Sequence, residues 1–261
     1  MDPTSKSQDI QLADALHENE TLRRELVEAR RLLEQSEVAV RAATDELQQF
    51  VYAASHDLQQ PLRTISSYAQ LLQRDQPKDT PAAEFASFII DAAKEMNQLV
   101  RDLLTYSRTG NSVRRSNINL NSPVQWALMK LAARIKDANA EIVVGADLPE
   151  VYADEAQLAQ VFEHVITNSI QYCGTETPRI EILAEETPDG IIVSIKDNGP
   201  GIEPRFHEQV FVPFKRLHGK NIPGSGLGLS LSRKIIRAHE GKIWTESDGV
   251  QGTTVKFSIP A

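Results

Sequence analysis

Cysteine is nearly missing from this 261-residue chain. Cys173 stands alone, so no intrachain disulfide can form and the fold must rest on packing, as suits a reducing cytoplasm. Long apolar runs are missing too. No stretch approaches the roughly 20 residues that a membrane-crossing helix needs, and no N-terminal segment has the basic, apolar and small-residue regions of a signal peptide. The expectation is a cytoplasmic protein with no membrane span. Nor is there an excess of positive charge. Lys and Arg number 28 against 36 Asp and Glu, a formal charge of −8, which argues against nonspecific binding to nucleic acid or to an anionic membrane. An anionic small ligand stays compatible, because local cations and helix starts hold phosphate even on acidic proteins. With 41% hydrophobic and 25% charged residues, the composition is globular, and the length suits one large domain or two modest ones.

What the chain does have is periodicity. After a polar, flexible stretch over 1–10, a seven-residue repeat occupies 11–50. Leu12, Asn19, Leu26, Leu33, Val40 and Leu47 fall at one core position, and Ala15, Leu22, Ala29, Ser36, Ala43 and Phe50 at the other. Six heptads with charge-rich sequence between them predict a parallel dimeric coiled coil, in which a core Asn19 fixes register. A single amphipathic helix packed on its own domain is the alternative.

The repeat falters at Ala54-Ser55-His56-Asp57-Leu58-Gln59-Gln60-Pro61-Leu62-Arg63. An unbroken heptad would bury Asp57; the next apolar residue is Leu58, one position late, followed by Leu62, Ile65, Ala69 and Leu72. Such a stutter locally unwinds a supercoil, turning His56 and Asp57 outward. Pro61 removes a backbone hydrogen bond in the same turn. An exposed imidazole beside a carboxylate, at a weak point of a helix, suits nucleophilic attack on phosphorus. Gln76-Pro77-Lys78-Asp79-Thr80-Pro81 reads as a hairpin turn, with Thr80 as N-cap and Pro81 in the first helical position. A second helix carries Phe85, Phe88, Ile89, Ala92, Met96, Leu99, Leu103 and Tyr106 on one stripe and ends at Thr109-Gly110. Two such hairpins, each spanning 51–110, would form a four-helix bundle in the dimer.

From residue 111 to 261 the pattern alternates between helix and strand. Helices are expected over 122–138, 154–173 and 226–240, with a short one over 203–211. Strands are expected over 141–145, 179–186, 190–199, 241–247 and 253–260. The period-two alternation predicts an α/β sandwich, a mixed sheet with helices on one face. Three clusters in it carry chemistry. Asp197-Asn198-Gly199-Pro200-Gly201 follows a strand, where a carboxylate can accept from a purine amine; it is also an ordinary turn sequence. Gly224-Ser225-Gly226-Leu227-Gly228-Leu229 opens a helix whose N–H groups can hold phosphate, although glycines at helix starts are common. Asn168 is a polar residue in an apolar helix, open to reading as a ligand or as a hydrogen-bonded core asparagine.

The order of these pieces resembles the sensor histidine kinases of two-component signalling: His-Asp-x-x-x-Pro-Leu, a helix Asn, Asp-x-Gly-x-Gly, then Gly-x-Gly-x-Gly-Leu. Phe211 and Phe214 resemble the family's phenylalanine-rich box, and Gly252-Thr253-Thr254 with the Phe257 strand also match. Within the family, SHDLQQPLR and KRLHGKNIPGSGLGLS are most similar to the soluble, phytochrome-related kinases. The resemblance implies a Bergerat or GHKL-type ATP-binding fold for 111–261, with ATP and Mg²⁺ as cofactors. It also implies a homodimer that takes the γ-phosphate on His56 and passes it to the receiver domain of a response regulator.

By that resemblance Asp57 orients the His56 ring and takes its proton, and Asn168 is the Mg²⁺ ligand. Asp197 reads the adenine, with Gly199 and Gly201 shaping its loop. Gly224, Ser225, Gly226, Leu227, Gly228 and Leu229 form the hinge and phosphate side of a lid, and Tyr172 lies near the nucleotide. Lys215, Arg216, His218 and Lys220 are the cations for the γ-phosphate, Arg216 foremost. Gln60, one helical turn after His56, is positioned to align water for dephosphorylating the regulator. Three positions depart from the family: His164 stands for the usual asparagine ahead of the metal ligand, Gln171 for the usual lysine or arginine after it, and Gln60 for the threonine or asparagine of many relatives. A cation lost near triphosphate costs roughly 1–3 kcal/mol. Hence a kinase-weak, phosphatase-biased or nucleotide-gated scaffold stays open as an alternative, as does an ATPase of the chaperone, topoisomerase or mismatch-repair type. The signal is expected from an upstream sensor domain or a partner protein, relayed through the coil.

Overall fold

The computed structural model describes residues 3–75, 80–109, 113–174, 176–217 and 225–261. Outside the described residues lie most of the 76–81 turn, His218, Lys220, Gly224 and the side chains of Leu12, Ala15 and Leu22. The chain forms two compact units, Met1–Ala54 and Ser55–Ala261.

The first unit is part of a single helix, α1, Pro3–Asp75. Its heptad residues Leu26, Leu33, Val40, Leu47 and Phe50 are 56–69% exposed. So regular an apolar stripe has no covering within the unit, and a helix of this length is not stable in water on propensity alone.

The second unit starts with the rest of α1, which continues through Pro61 and so leaves the carbonyl of Asp57 without its usual i+4 donor. Helix α2, Pro81–Arg108, begins as its sequence predicts: Thr80 Oγ1 accepts from the N–H of Ala83 at 3.3 Å, and Pro81 occupies the first turn. Helix α1 buries part of its expected stripe, Leu62 and Ala69, whereas α2 buries a different one. Ser55, Leu62 and Ala69 of α1, spaced by sevens, are buried, as are Ala83, Ala86, Ile90, Ala93 and Val100 of α2. The larger Leu58, Ile65, Leu72, Phe85, Phe88, Ile89 and Met96 remain exposed. Periodicity marked the apolar stripe correctly but not which apolar face meets the neighbour within one chain.

Beyond the hairpin, β1 (Ser116–Asn119) pairs antiparallel with β3 (Glu150–Ala153), a two-stranded ribbon that the sequence did not suggest because each strand has only four residues. The main sheet contains β2 (Glu141–Val144), β4 (Arg179–Thr187), β5 (Gly190–Asp197), β6 (Ile243–Glu246) and β7 (Thr254–Pro260) in the order β2-β4-β5-β7-β6. Only β2 and β4 run parallel; the other pairs are antiparallel. Alternate residues Ile180, Ile182, Val193, Ile195, Val255, Phe257 and Ile259 point into one core. Helices α3 (Asn121–Asp137), α4 (Glu155–Tyr172) and α5 (Gly228–Ala238) contribute Val124, Leu131, Phe162, Ile166, Ile235 and Ile236 to it. The expected mixed sheet with helices on one face is therefore present. Two details differ. The short helix expected over 203–211 is a pair of 3₁₀ turns, Pro204–Phe206 and Gln209–Phe211, which drive Phe211 into a buried position. Helix α5 starts at Gly228, because Gly226 has φ +72° and cannot join a right-handed helix.

Asp154 ties the start of α4 to the rest of the domain. Its carboxylate accepts from the N–H groups of Gln157 (3.1 Å) and Arg114 (2.9 Å), and its own N–H donates to Nε2 of buried His239 at 3.0 Å. His239 Nδ1 donates to the carbonyl of Ile235 at 2.9 Å, which fixes a neutral tautomer; burial pushes its pKa down in agreement. At the centre of the core, Phe162 and Phe257 pack edge to face, 5.8 Å between ring centres. Truncating Phe162 to Ala, in a side chain fully buried, is expected to cost about 3–5 kcal/mol. Urea unfolding followed by circular dichroism checks this; a loss below about 1 kcal/mol would mean that the core does not depend on this pair.

Candidate functional site

Helix α4 has two chemical faces. Leu158, Val161, Phe162, Val165 and Ile166 point into the core, while His164, Asn168, Gln171 and Tyr172 line a cavity of about 730 Å³. The spacing of 164, 168 and 171 puts them on one helical stripe. Opposite that stripe the cavity is walled by Asp197, Gly199 and Gly201, by Lys215 and Arg216, and by Ser225 through Leu229. Residues separated by up to 65 positions in sequence thus converge on one site, as their motifs imply.

The Asp197 carboxylate holds three elements together. Oδ1 accepts from the N–H of Gly199 (3.0 Å) and of Thr253 (2.9 Å), and Oδ2 accepts from Ser169 Oγ (3.1 Å). Burial pushes the carboxyl pKa up, and these bonds pull against that shift. Asn198 is structural: its amide oxygen accepts from the N–H of Arg179 and from Cys173 Sγ, while its nitrogen donates to the Thr177 carbonyl. Cys173 is buried behind the site, and burial raises its pKa, so it is an inert packing residue.

On the lid side, the N–H of Phe214 donates to the Gly226 carbonyl at 3.1 Å, joining the phenylalanine segment to the glycine loop. Phe214 pays for that contact with a left-handed backbone, φ 61°, and is half exposed, whereas Phe211 is buried beneath the Arg233 guanidinium, 4.7 Å from its ring centre. His164 packs against the same loop. A Cβ placed on Gly228 would lie 3.5–3.7 Å from His164 Cβ, Cγ and Cδ2. Burial pushes the His164 pKa down, and its Nδ1 is enclosed without a hydrogen-bond partner. The proton therefore belongs on Nε2, since a buried N–H left unpaired costs more than an unpaired lone pair.

His56, Asp57 and Gln60 are exposed on α1 and do not line the cavity. His56 Nδ1 lies 3.3 Å from Asp57 Oδ1, and their side chains are 71% and 82% exposed. This pairing holds the proton on Nδ1 and leaves the Nε2 lone pair facing solvent.

Residues 46–112 match the His Kinase A (phospho-acceptor) domain, and residues 153–261 match the histidine kinase-, DNA gyrase B- and HSP90-like ATPases. The phytochrome-like protein Cph1 of Synechocystis sp. is 40% identical over 219 residues, 82% of this chain and 29% of that protein. The chain belongs to the histidine kinases. It spans under a third of the length of this relative. Two solved structures share the fold: full-length ShkA in complex with AMPPNP, and histidine kinase ThkA in complex with response regulator protein TrrA. The first has TM-score 0.63 and 21% identity, over 82% of this chain and 47% of ShkA; the second has 0.59 and 25%, over 81% and 61%.

Against this histidine kinase frame, the cavity holds several residues that no motif pointed to. Ser169 and Thr253 support Asp197; the first was hidden by its neighbour Asn168, and the second lay in a matched but unassigned Gly-Thr-Thr run. Gln98, Asp102 and Thr105 of α2 and Lys130 and Arg134 of α3 form another wall. Nothing local in their sequence reports this, because it depends on how the hairpin meets the domain. Replacing Asp197 by Ala leaves three donors without an acceptor, an expected loss of about 2–4 kcal/mol. Asp197→Asn keeps an oxygen for the two N–H groups and should unfold at a midpoint much closer to wild type. Equal destabilisation in the two variants, measured in urea, would show that the carboxylate does not organise these elements.

Proposed function

We propose that this chain is the catalytic core of an ATP-dependent protein histidine kinase that acts as a homodimer, phosphorylates itself on His56 and passes the phosphoryl group to an aspartate of a response-regulator receiver domain. The observation that carries the proposal is the His56–Asp57 pair set exposed on a helix of the same chain whose cavity gathers Asn168, Asp197 and the Gly226–Gly228 loop. The exposed apolar stripes of α1 and α2 support a second copy as partner. ShkA bound to AMPPNP and ThkA bound to its regulator support the nucleotide and the receiver.

In this mechanism the one Asp197 lone pair left free, on Oδ2, accepts from the adenine amine. Asn168 offers one amide oxygen, which suits Mg²⁺, an ion that keeps several waters and is shared with nucleotide phosphates rather than caged by protein. When bound, Mg²⁺ neutralises charge on the phosphates. Lys215 and Arg216 face the same cavity and orient the γ-phosphate. His56 Nε2 attacks the γ-phosphorus; the N–P bond forms as the bond from phosphorus to the β–γ bridging oxygen breaks, and ADP leaves. The Nδ1 proton passes to Asp57. Gln60, exposed one turn further along α1, would align water for hydrolysis of the regulator's aspartyl phosphate.

Incubation with Mg²⁺ and γ-labelled ATP should give an acid-labile, base-stable label on wild type and none on His56→Ala or Asn168→Ala. Label persisting on His56→Ala would overturn the assignment. The places of His164 and Gln171 in the cavity favour a second reading, in which transfer is slow because a cation is missing. His164→Asn with Gln171→Lys should then raise the labelling rate by roughly five- to 160-fold, the effect of restoring about 1–3 kcal/mol. An unchanged rate would remove that reading.

A further inference from the structure

Helix α4 carries Asn168 but no Lys or Arg anywhere between Glu155 and Tyr172. A triphosphate lying along its cavity face brings more negative charge than one Mg²⁺ offsets, so cations must reach it from neighbouring elements. Lys215 and Arg216 do so from one wall of the cavity. On the wall formed by α3 stand two more, Lys130 and Arg134, and they differ in one respect. Lys130 Nζ lies 2.6 Å from Glu163 Oε2, so its charge is already met by a carboxylate of α4. Arg134 is exposed, and among the described residues its guanidinium has neither a hydrogen bond nor an ion pair.

The register between α3 and α4 brings Arg134 to the turn of Asn168. Ser122, near the start of α3, donates to the carboxylate of Glu155 at the start of α4, and Lys130 pairs with Glu163 two turns later. Both pairs are 33 positions apart, so the helices run side by side, in the same direction and in step. The same offset sets Arg134 level with Thr167, next to Asn168. Arg134 also follows Lys130 by four residues, which puts both on the cavity face of α3. Gln171 lies one turn beyond Asn168 on the same stripe of α4 and lines the same cavity, but its amide carries no charge. A guanidinium suits phosphate, since its planar fork can bond two oxygens at once.

We infer that Arg134 is a phosphate-binding residue, which donates to the phosphate chain of the bound nucleotide from the α3 wall in place of the cation that Gln171 does not supply. Together with Lys215 and Arg216 it grips the chain from two sides, and the Lys130–Glu163 pair keeps the register that aims it. This role rests on the kinase reading above, which puts ATP in the cavity. A site simply short of a cation gains from Gln171→Lys whatever stands at position 134. A site served by Arg134 gains most from that change once Arg134 is gone.

The test measures the dissociation constant for ATP with Mg²⁺ in the full chain by isothermal titration calorimetry. Wild type is compared with Arg134→Met, Arg134→Lys, Gln171→Lys and the double variant Arg134→Met with Gln171→Lys. Arg134→Met should weaken ATP binding by roughly tenfold, the effect of losing one charge-assisted contact, and Arg134→Lys by less. Gln171→Lys should recover most of that loss in the Arg134→Met background and gain several times less in wild type. The urea unfolding midpoint without nucleotide should be the same in wild type and Arg134→Met, because the side chain replaced is exposed. A merely structural role for Arg134 would not be rescued by a charge placed on another helix. ATP affinity unchanged in Arg134→Met, or an equal gain from Gln171→Lys in both backgrounds, would overturn the inference and leave the kinase reading standing. Failure of wild type to bind ATP at all would overturn the kinase reading, and the role of Arg134 with it.

Discussion

The site depends on one buried carboxylate. Asp197 ends β5, yet its oxygens reach the loop at Gly199, the turn at Thr253 before β7, and Ser169 on α4. A carboxylate placed among apolar strands is costly unless its lone pairs are used. The three donors meet that cost, and in doing so they fix the distance between sheet and helix α4. Everything on the cavity side of α4, from His164 to Tyr172, takes its position from that distance. The same residue that the motif order assigns to adenine recognition is thus also the clamp that gives the cavity its width.

Sequence legibility followed the range of the interactions. The Asp197, Asn168 and glycine-loop residues were legible because each motif encodes a local backbone requirement, a turn or a helix start, and the requirements occur in a fixed order. Thr80 and Pro81 were legible as a helix start for the same reason. The long amphipathic strands and helices were legible from period. The β1–β3 ribbon was not, since four-residue strands with two apolar side chains carry no usable period. The α2 wall of the cavity was not either. Gln98, Asp102 and Thr105 look like the solvent face of a helix, and only the approach of a domain far along the chain gives them another neighbour.

The hairpin shows how a correct period can still leave a face ambiguous. Both helices carry two stripes, one of small residues such as Ala69, Ala86 and Ala93 and one of larger residues such as Leu58, Ile65, Phe85 and Phe88. Within one chain the small stripe is the buried one. That choice leaves the larger stripe exposed, with far more apolar area than a soluble helix pair leaves to water without reason. The heptads of α1 extend the same situation upstream, where Leu26 to Phe50 lie bare. A single association along α1 and α2 would cover both.

In the proposed reaction, reactivity and reach are separate problems. For that reaction His56 needs no nucleotide to be prepared: its Nδ1 faces Asp57, its side chain is open to solvent, and the missing donor at Pro61 weakens the helix at the turn where Asp57 offers its carbonyl. The nucleotide cavity is likewise preformed, with Asp197 clamped and His164 packed under Gly228. What the two lack is each other, since the cavity faces α2. A reaction whose partners are both preorganised but apart is governed by the population of the arrangement that brings them together, not by the chemistry at either end. Control of such a protein is most economically placed at the contacts between hairpin and domain and at the deformable turn beside His56. Both lie outside the motifs that mark the active groups.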